Sequence, residues 1–204
     1  MVRTLWFDLG GVFIHMHAER GLARLSKALD IESSAFLREA VFDPRILSRY
    51  ETGRLSTSQF HAEVCGRLGR EIPLSQFREV WQEIFSPNRP MIRFLSKLKS
   101  RYRLLLVSNT NEMHMEFIIG HYPFLDMFDT RIYSYETGIA KPDRGIFMHA
   151  LEASKAGASE CLFVDDSPEN VRAAESLGIR SHRFEGNRAF FAYWRKEGLD
   201  PAPD

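Results

Sequence analysis

Leu5-Trp6-Phe7-Asp8-Leu9-Gly10-Gly11-Val12 is the stretch that decides the fold. An apolar run enters it and a carboxylate stands at its end. Two glycines then precede a second apolar run, Val12-Phe13-Ile14. The pattern predicts a buried strand that delivers Asp8 to the carboxyl edge of a sheet. A tight turn follows, open enough for a ligand to approach the backbone. Taken alone, the same residues also describe a strand end with a solvated aspartate. The other strand ends decide between the two.

Downstream, the spacing of apolar residues is helical. Ala18 to Leu29 predicts a helix with Leu22, Leu25 and Leu29 on one face. Ser33 to Phe42 predicts a second, broken at Asp43-Pro44 because a residue before proline avoids the helical region. Glu51-Thr52-Gly53-Arg54 reads as a turn. Ser56 and Gln59 form a capping box opening a helix to about Leu68, which Gly69 ends. Leu74 to Phe85 completes an all-helical block over residues 17–87, and Ser86-Pro87-Asn88-Arg89-Pro90 reads as a hinge.

Beyond Pro90 short apolar strands alternate with amphipathic helices. Strands are expected at Arg103–Val107, Thr130–Tyr133, Cys161–Val164 and Ile179–His182. Helices are expected at Met91–Ser100, Asn111–His121, Asp143–Lys155, from Ser167-Pro168 to Leu177, and at Asn187–Lys196. The alternation implies an α/β fold: a Rossmann-like three-layer core with a parallel sheet between helices, and a small all-helical insertion after the first strand. The expected division is 1–16 with 88–204 for the core and 17–87 for the insertion. The aromatic-rich block Phe184–Trp194 reads as core packing.

Composition bounds the function. The 204 residues include 27 Lys+Arg and 27 Asp+Glu, a balance that gives no footprint for nucleic acid or an anionic membrane. No apolar run reaches the roughly 18 residues of a membrane span. The chain opens straight into its first strand, without a signal-peptide pattern. Cys65 and Cys161 fall in a helix and a buried strand, which points to reduced thiols and a cytoplasmic protein, monomeric or a weak homodimer.

In open parallel sheets ligands bind at the carboxyl ends of the strands, so Asp8, Ser108 and Asp165-Asp166 are expected to face one another. Adjacent carboxylates near a third repel. A hard divalent cation resolves the conflict, and Mg²⁺ suits carboxylates combined with waters and a phosphate. Ser108-Asn109, between a strand and a helix, offers a hydroxyl and free N–H groups to an anion, although a plain helix cap has the same appearance. Lys141, in Thr137-Gly138-Ile139-Ala140-Lys141-Pro142-Asp143, stands in a loop from which an ammonium could pair with a carboxylate or a phosphate oxygen, although taken alone the stretch reads more readily as a solvated surface lysine.

In this order and spacing, Phe7-Asp8-Leu9-Gly10-Gly11-Val12, Val107-Ser108-Asn109, Lys141-Pro142-Asp143 and Phe163-Val164-Asp165-Asp166-Ser167-Pro168-Glu169-Asn170 resemble the four motifs of the haloacid-dehalogenase-like superfamily. The insertion resembles the small helical cap of one subgroup. The Asp-Leu-Gly-Gly variant resembles its sugar-phosphate phosphatases, such as the glucose-1-phosphate phosphatases. The resemblance implies a Mg²⁺-dependent phosphatase of a small phosphorylated metabolite. It implies Asp8 as nucleophile, and Asp8, the Gly10 carbonyl, Asp166 and Asp165 around Mg²⁺. Ser108, the Asn109 backbone and Lys141 are implied on the phosphoryl group.

The chain departs from that family at Gly10, where an acid–base aspartate usually stands. Such a group is worth about 10²–10⁴ in rate. Three expectations follow. The first is a phosphatase using another acid or base, with His15 and His17 as candidate surrogates. The second is a metal-independent 2-haloacid dehalogenase, against which Asp165-Asp166 speaks. The third is a phospho-ligand or partner-binding protein of weak or no activity. Arg45, Arg49, Tyr50, Glu51 and Arg54 form a charged cluster in the insertion, read as a solvated face, with contact to a substrate's hydroxyls or second anion as the alternative.

Overall fold

A run as apolar as Leu5-Trp6-Phe7 has no face to give to water, so it is stable as a strand only when covered on both sides. A computed structural model describes residues 1–82 and 84–199, apart from the side chain of Ser34. Thr4–Phe7 (β1) is buried throughout. Ile14–Met16 (β2) leads into helices Ala18–Leu29 (α1), Ser34–Val41 (α2), Pro44–Glu51 (α3), Thr57–Leu68 (α4) and Leu74–Gln82 (α5). Phe85–Pro87 (β3) returns to Arg89–Leu98 (α6), Arg103–Ser108 (β4), Glu112–His121 (α7), Thr130–Tyr133 (β5), Ser134–Thr137 (α8) and Arg144–Ser154 (α9). Cys161–Asp165 (β6), Pro168–Glu175 (α10), Arg180–Arg183 (β7) and Asn187–Lys196 (α11) complete the order.

The five-stranded sheet runs β5-β4-β1-β6-β7, with every neighbouring pair parallel. Alternation along β1 sends Leu5 and Phe7 into one apolar layer with Phe94, Leu98, Phe190 and Trp194, from α6 and α11. Trp6 enters the opposite layer with Ile146, Phe147 and Ala174, from α9 and α10. The α/β expectation therefore holds, and the aromatic block near the carboxyl end is core: Phe94 meets Trp194 edge-on at 5.1 Å. The chain leaves β1 for β4 on one side and β6 on the other. That reversal of strand order opens a crevice at the carboxyl end of β1.

Helices α1–α5 gather around a separate apolar cluster that includes Leu25, Leu37, Phe60 and Trp81 and reaches Met113 of α7. The stretch read as a hinge is instead ordered pairing. β2 and β3 form an antiparallel ribbon with Ile14 opposite Pro87 and Met16 opposite Phe85. Three-residue strands are too short to show a period. Asn88 locks the exit: its side chain donates to the Val12 carbonyl at 2.7 Å and exchanges amide bonds with Asn187 at 2.9 Å. Asp43-Pro44 ends one helix as expected, but it also begins α3. Proline at the first helical position lacks only an N–H that would be unpaired anyway, and Asp43 caps the helix by accepting from Arg45 N at 2.8 Å. Helix α5 stops at Gln82, short of the expected Phe85, because Phe85 joins the ribbon. The expected segments include Glu83 and residues 200–204, which lie outside the described residues.

Hydrogen bonds from the Arg45 guanidinium, with Arg67 close by, hold the Asp43 carboxyl well below the usual carboxylate range. A depressed carboxylate stabilises the fold above its unfolded pKa of about 4, and that contribution fades as pH falls through the folded value. Asp43→Asn keeps the cap and removes the charge. Urea unfolding is expected to show the variant less stable than wild type at pH 7, with the gap closing below about pH 4. An equal gap at pH 7 and pH 3 would contradict the assignment.

Candidate active site

Asp8 follows β1 directly, with its N–H on the Val164 carbonyl of β6 at 2.9 Å. Its Oδ1 accepts from Leu9 N at 2.7 Å and meets Lys141 Nζ at 2.9 Å. Asp165 ends β6 and is fully buried. Its Oδ1 accepts from Ser167 N at 2.8 Å, and Asn170 Nδ2 reaches both carboxylate oxygens. Lys141 Nζ donates to Asp165 Oδ2 and to the Val107 carbonyl, each at 2.7 Å. With Asp8 these account for all three of the donors an ammonium owns.

The loop bearing Lys141 is held from across the sheet edge. Asn109 Oδ1 accepts from Lys141 N and Asn109 Nδ2 donates to the Lys141 carbonyl, both at 2.7 Å. The Asn109 side chain is thus a brace for Lys141, a task its sequence context does not announce. Ser108 sits on the cleft wall. Among the described residues its hydroxyl has only the Asn109 carbonyl, at 3.5 Å, as an acceptor.

Three carboxylates face one ammonium. Burial, reinforced by the Asp165 charge and opposed by Lys141, pushes the Asp8 carboxyl up to about 7. Burial and the Asp165 charge also raise Asp166. Burial works to lower the Lys141 ammonium, but the Asp8 and Asp165 charges prevail and keep it above its ordinary value. Ligand oxygens of Asp8, Asp165 and Asp166 all lie within 4.8 Å of one another. Converging hard oxygens with uncompensated negative charge fit a divalent cation. Gly11 makes room for the arrangement: at its φ of +69°, a Cβ would lie 2.2 Å from Asp166 Oδ2. At Gly10, a Cβ would meet nothing within 4 Å, so the site has space for the carboxylate it lacks.

These groups open on a cleft of about 470 Å³. Asp8, Gly10, Ser108, Asn109 and Asp166 line it, together with apolar Ile14, Met16, Phe85 and Ile118 and with His15, Glu51 and His114. No arginine or lysine is on this wall among the described residues. Of the charged cluster read from the sequence, only Glu51 borders the cleft: Arg45 pairs with Asp43, Arg49 with Glu63, and Tyr50 is buried. His15 reaches the wall from β2. His17 is off it, with Nε2 on Ser86 Oγ at 2.7 Å.

His114 is a cleft residue the sequence reading passed over. The signal was Asn111 three positions earlier, whose Oδ1 accepts from His114 N while its Nδ2 meets His114 Nδ1 at 3.1 Å. With Nδ1 accepting, the ring proton is on Nε2, a buried donor with no partner among the described residues. Burial lowers the imidazole to about 3, so it stays neutral.

Known proteins share this architecture. The chain is 27% identical over 204 aligned positions to D-ribitol-5-phosphate phosphatase of Bacteroides thetaiotaomicron, an alignment covering 97% of each protein. It is 25% identical to a sesquiterpene phosphatase of Aspergillus oryzae over 85% of each. A crystal structure of a B. thetaiotaomicron haloacid dehalogenase family enzyme, in complex with magnesium and inorganic phosphate, superposes with a TM-score of 0.80. It is 27% identical, over 90% of this chain and 94% of that one. The model of the haloacid dehalogenase-like hydrolase family matches residues 2–178. A match of that extent spans the helical insertion and strands β1, β4, β5 and β6 of the sheet, and the chain is a member of the haloacid dehalogenase-like hydrolases.

Proposed function

We propose that the protein is a Mg²⁺-dependent phosphatase that hydrolyses the monoester of a small neutral alcohol through an aspartyl-phosphate at Asp8. The observation that carries this reading is the Asp8–Lys141–Asp165 cluster with Asp166 beside it, whose Asp8 and Asp166 line a cleft. Residues 1–16 and 88–204 would form the catalytic core, and residues 17–87 a cap over it.

Asp8 Oδ1 is engaged by Leu9 N and Lys141, and Oδ2 has no protein partner among the described residues. We assign Oδ2 to the attack on phosphorus. The Ser108 hydroxyl and the Asn109 backbone N–H bind phosphoryl oxygens, and Lys141 offsets the charge that Asp8 and the phosphoryl group share. When bound, Mg²⁺ held by Asp8, the Gly10 carbonyl, Asp166 and Asp165 supplies further positive charge to the phosphoryl group. The carboxylate excess argues against metal-independent dehalogenation, and the complete set argues against a binding-only protein.

The rest of the cleft lining bears on the alcohol. It offers apolar surface, one carboxylate and the neutral His114 imidazole, and among the described residues no arginine or lysine to meet a second anion. Such a wall suits a polyol or an apolar alcohol, in keeping with relatives named for ribitol 5-phosphate and for sesquiterpenes.

Steady-state assays over a panel of phosphomonoesters test the reading. Turnover is expected with Mg²⁺, is lost in EDTA, and drops by more than about 10³-fold in Asp8→Asn. Asp8→Asn turnover within tenfold of wild type would overturn it. Gly11→Ala, which crowds Asp166, is expected to weaken Mg²⁺ binding measured by calorimetry by about 10–100-fold. An unchanged affinity would remove Asp166 from the metal site.

A further inference from the structure

Gly10 leaves the proton of the leaving alcohol without a carrier, and the cleft holds few groups that could replace one. Asp8 and Asp166 are occupied in the cluster. His114 stays neutral, with its Nδ1 taken by Asn111. His15 is exposed on the short ribbon, and His17 is bound to Ser86 off the wall. Glu51 remains. It is half-buried, lines the same cleft as Asp8, and its carboxylate has no hydrogen-bond or ion-pair partner among the described residues.

The fold fixes Glu51 on both sides. Just before it, Tyr50 OH accepts from Met113 N at 3.2 Å and donates to Thr57 Oγ1 at 2.9 Å, while Thr57 donates to Glu112. This chain ties the end of α3 to the first turn of α7. Just after it, Gly53 presses on the backbone of α8: with φ at +65°, a Cβ there would lie 2.2 Å from the Tyr135 carbonyl. Glu51, with its carboxylate unpaired among the described residues, thus stands on the cleft wall between two contacts that join the helical block to α7 and α8.

We propose that Glu51 is the general acid and base of the reaction, replacing the carboxylate absent at position 10; the proposal rests on the phosphatase reading above. As Asp8 Oδ2 bonds to phosphorus, the bond to the ester oxygen breaks and the Glu51 carboxylic acid protonates that oxygen, so the alcohol leaves neutral. The Glu51 carboxylate then takes a proton from water as its oxygen attacks phosphorus. The bond to Asp8 breaks, phosphate departs, and Glu51 is again the acid. Burial raises the Glu51 carboxyl above its ordinary value, in the direction such cycling needs.

Glu51→Gln tests this on two substrates, an alkyl phosphate such as glycerol 1-phosphate and 4-nitrophenyl phosphate, whose leaving group needs little protonation. On the alkyl ester, kcat is expected to fall by about 10²–10⁴-fold. On the aryl ester, a rapid burst of one nitrophenolate per enzyme is expected before slow turnover, because formation of the aspartyl-phosphate proceeds and its hydrolysis lacks a base. Gly10→Asp added to Glu51→Gln is expected to recover at least tenfold of the lost alkyl-ester activity, which also shows the variant to be folded. Equal losses on both esters without a burst would overturn the proposal, as would wild-type turnover on the alkyl ester. A leaving-group-dependent loss in His15→Ala that Glu51→Gln lacks would transfer the role to His15. If wild type itself hydrolyses no monoester with Mg²⁺, the phosphatase reading fails together with the proposal. If wild type is active and Glu51→Gln behaves like it, Glu51 alone is at fault.

Discussion

Neighbouring parallel strands β1 and β6 end in carboxylates, and a single buried ammonium bridges them. Lys141 Nζ lies 2.9 Å from Asp8 and 2.7 Å from Asp165, with no donor left over. Much of the nearby structure serves this contact. Asn109 clamps the Lys141 peptide, Asn170 and Ser167 hold Asp165, and Gly11 yields space to Asp166. The cluster keeps an excess of negative charge, and burial makes that excess costly. A divalent cation relieves that excess, and its remaining positive charge suits an anionic phosphoryl group.

The helical block contributes in a different way. Its own apolar cluster extends onto Met113 of α7, and the ribbon of β2 and β3 carries the chain out and back. The turn after α3 is then pinned by Tyr50 on one side and Gly53 on the other. Glu51, the last residue of α3, thereby becomes a fixed part of the cleft wall. No arginine or lysine stands on this wall among the described residues, so on the proposed reading selectivity would rest on shape, apolar contact and neutral donors such as His114 Nε2.

The strand ends were legible from sequence because burial and termination are local properties. Leu5-Trp6-Phe7 followed by Asp8, or Leu162-Phe163-Val164 followed by Asp165, needs no distant partner to be recognised. Roles defined across long sequence gaps were not legible. Asn109 finds the Lys141 peptide 32 positions away, and Asn88 finds Asn187 at 99. Glu51 was visible only as part of a charged cluster, because the ion pairs that occupy Arg45 and Arg49 and leave Glu51 unpaired form on folding. The helix over Pro44–Glu51 was hidden because proline ends one helix and starts another with the same ring.

The central claim is that the Asp8 carboxylate itself becomes phosphorylated. Wild-type protein turning over a phosphomonoester with Mg²⁺ can be quenched in acid, reduced with borohydride and mapped by peptide mass spectrometry. Reduction of an acyl phosphate converts aspartate to homoserine. The account predicts homoserine at position 8, dependent on substrate and Mg²⁺. Substrate-dependent modification at another carboxylate, or none at position 8 while phosphate is being released, would contradict it.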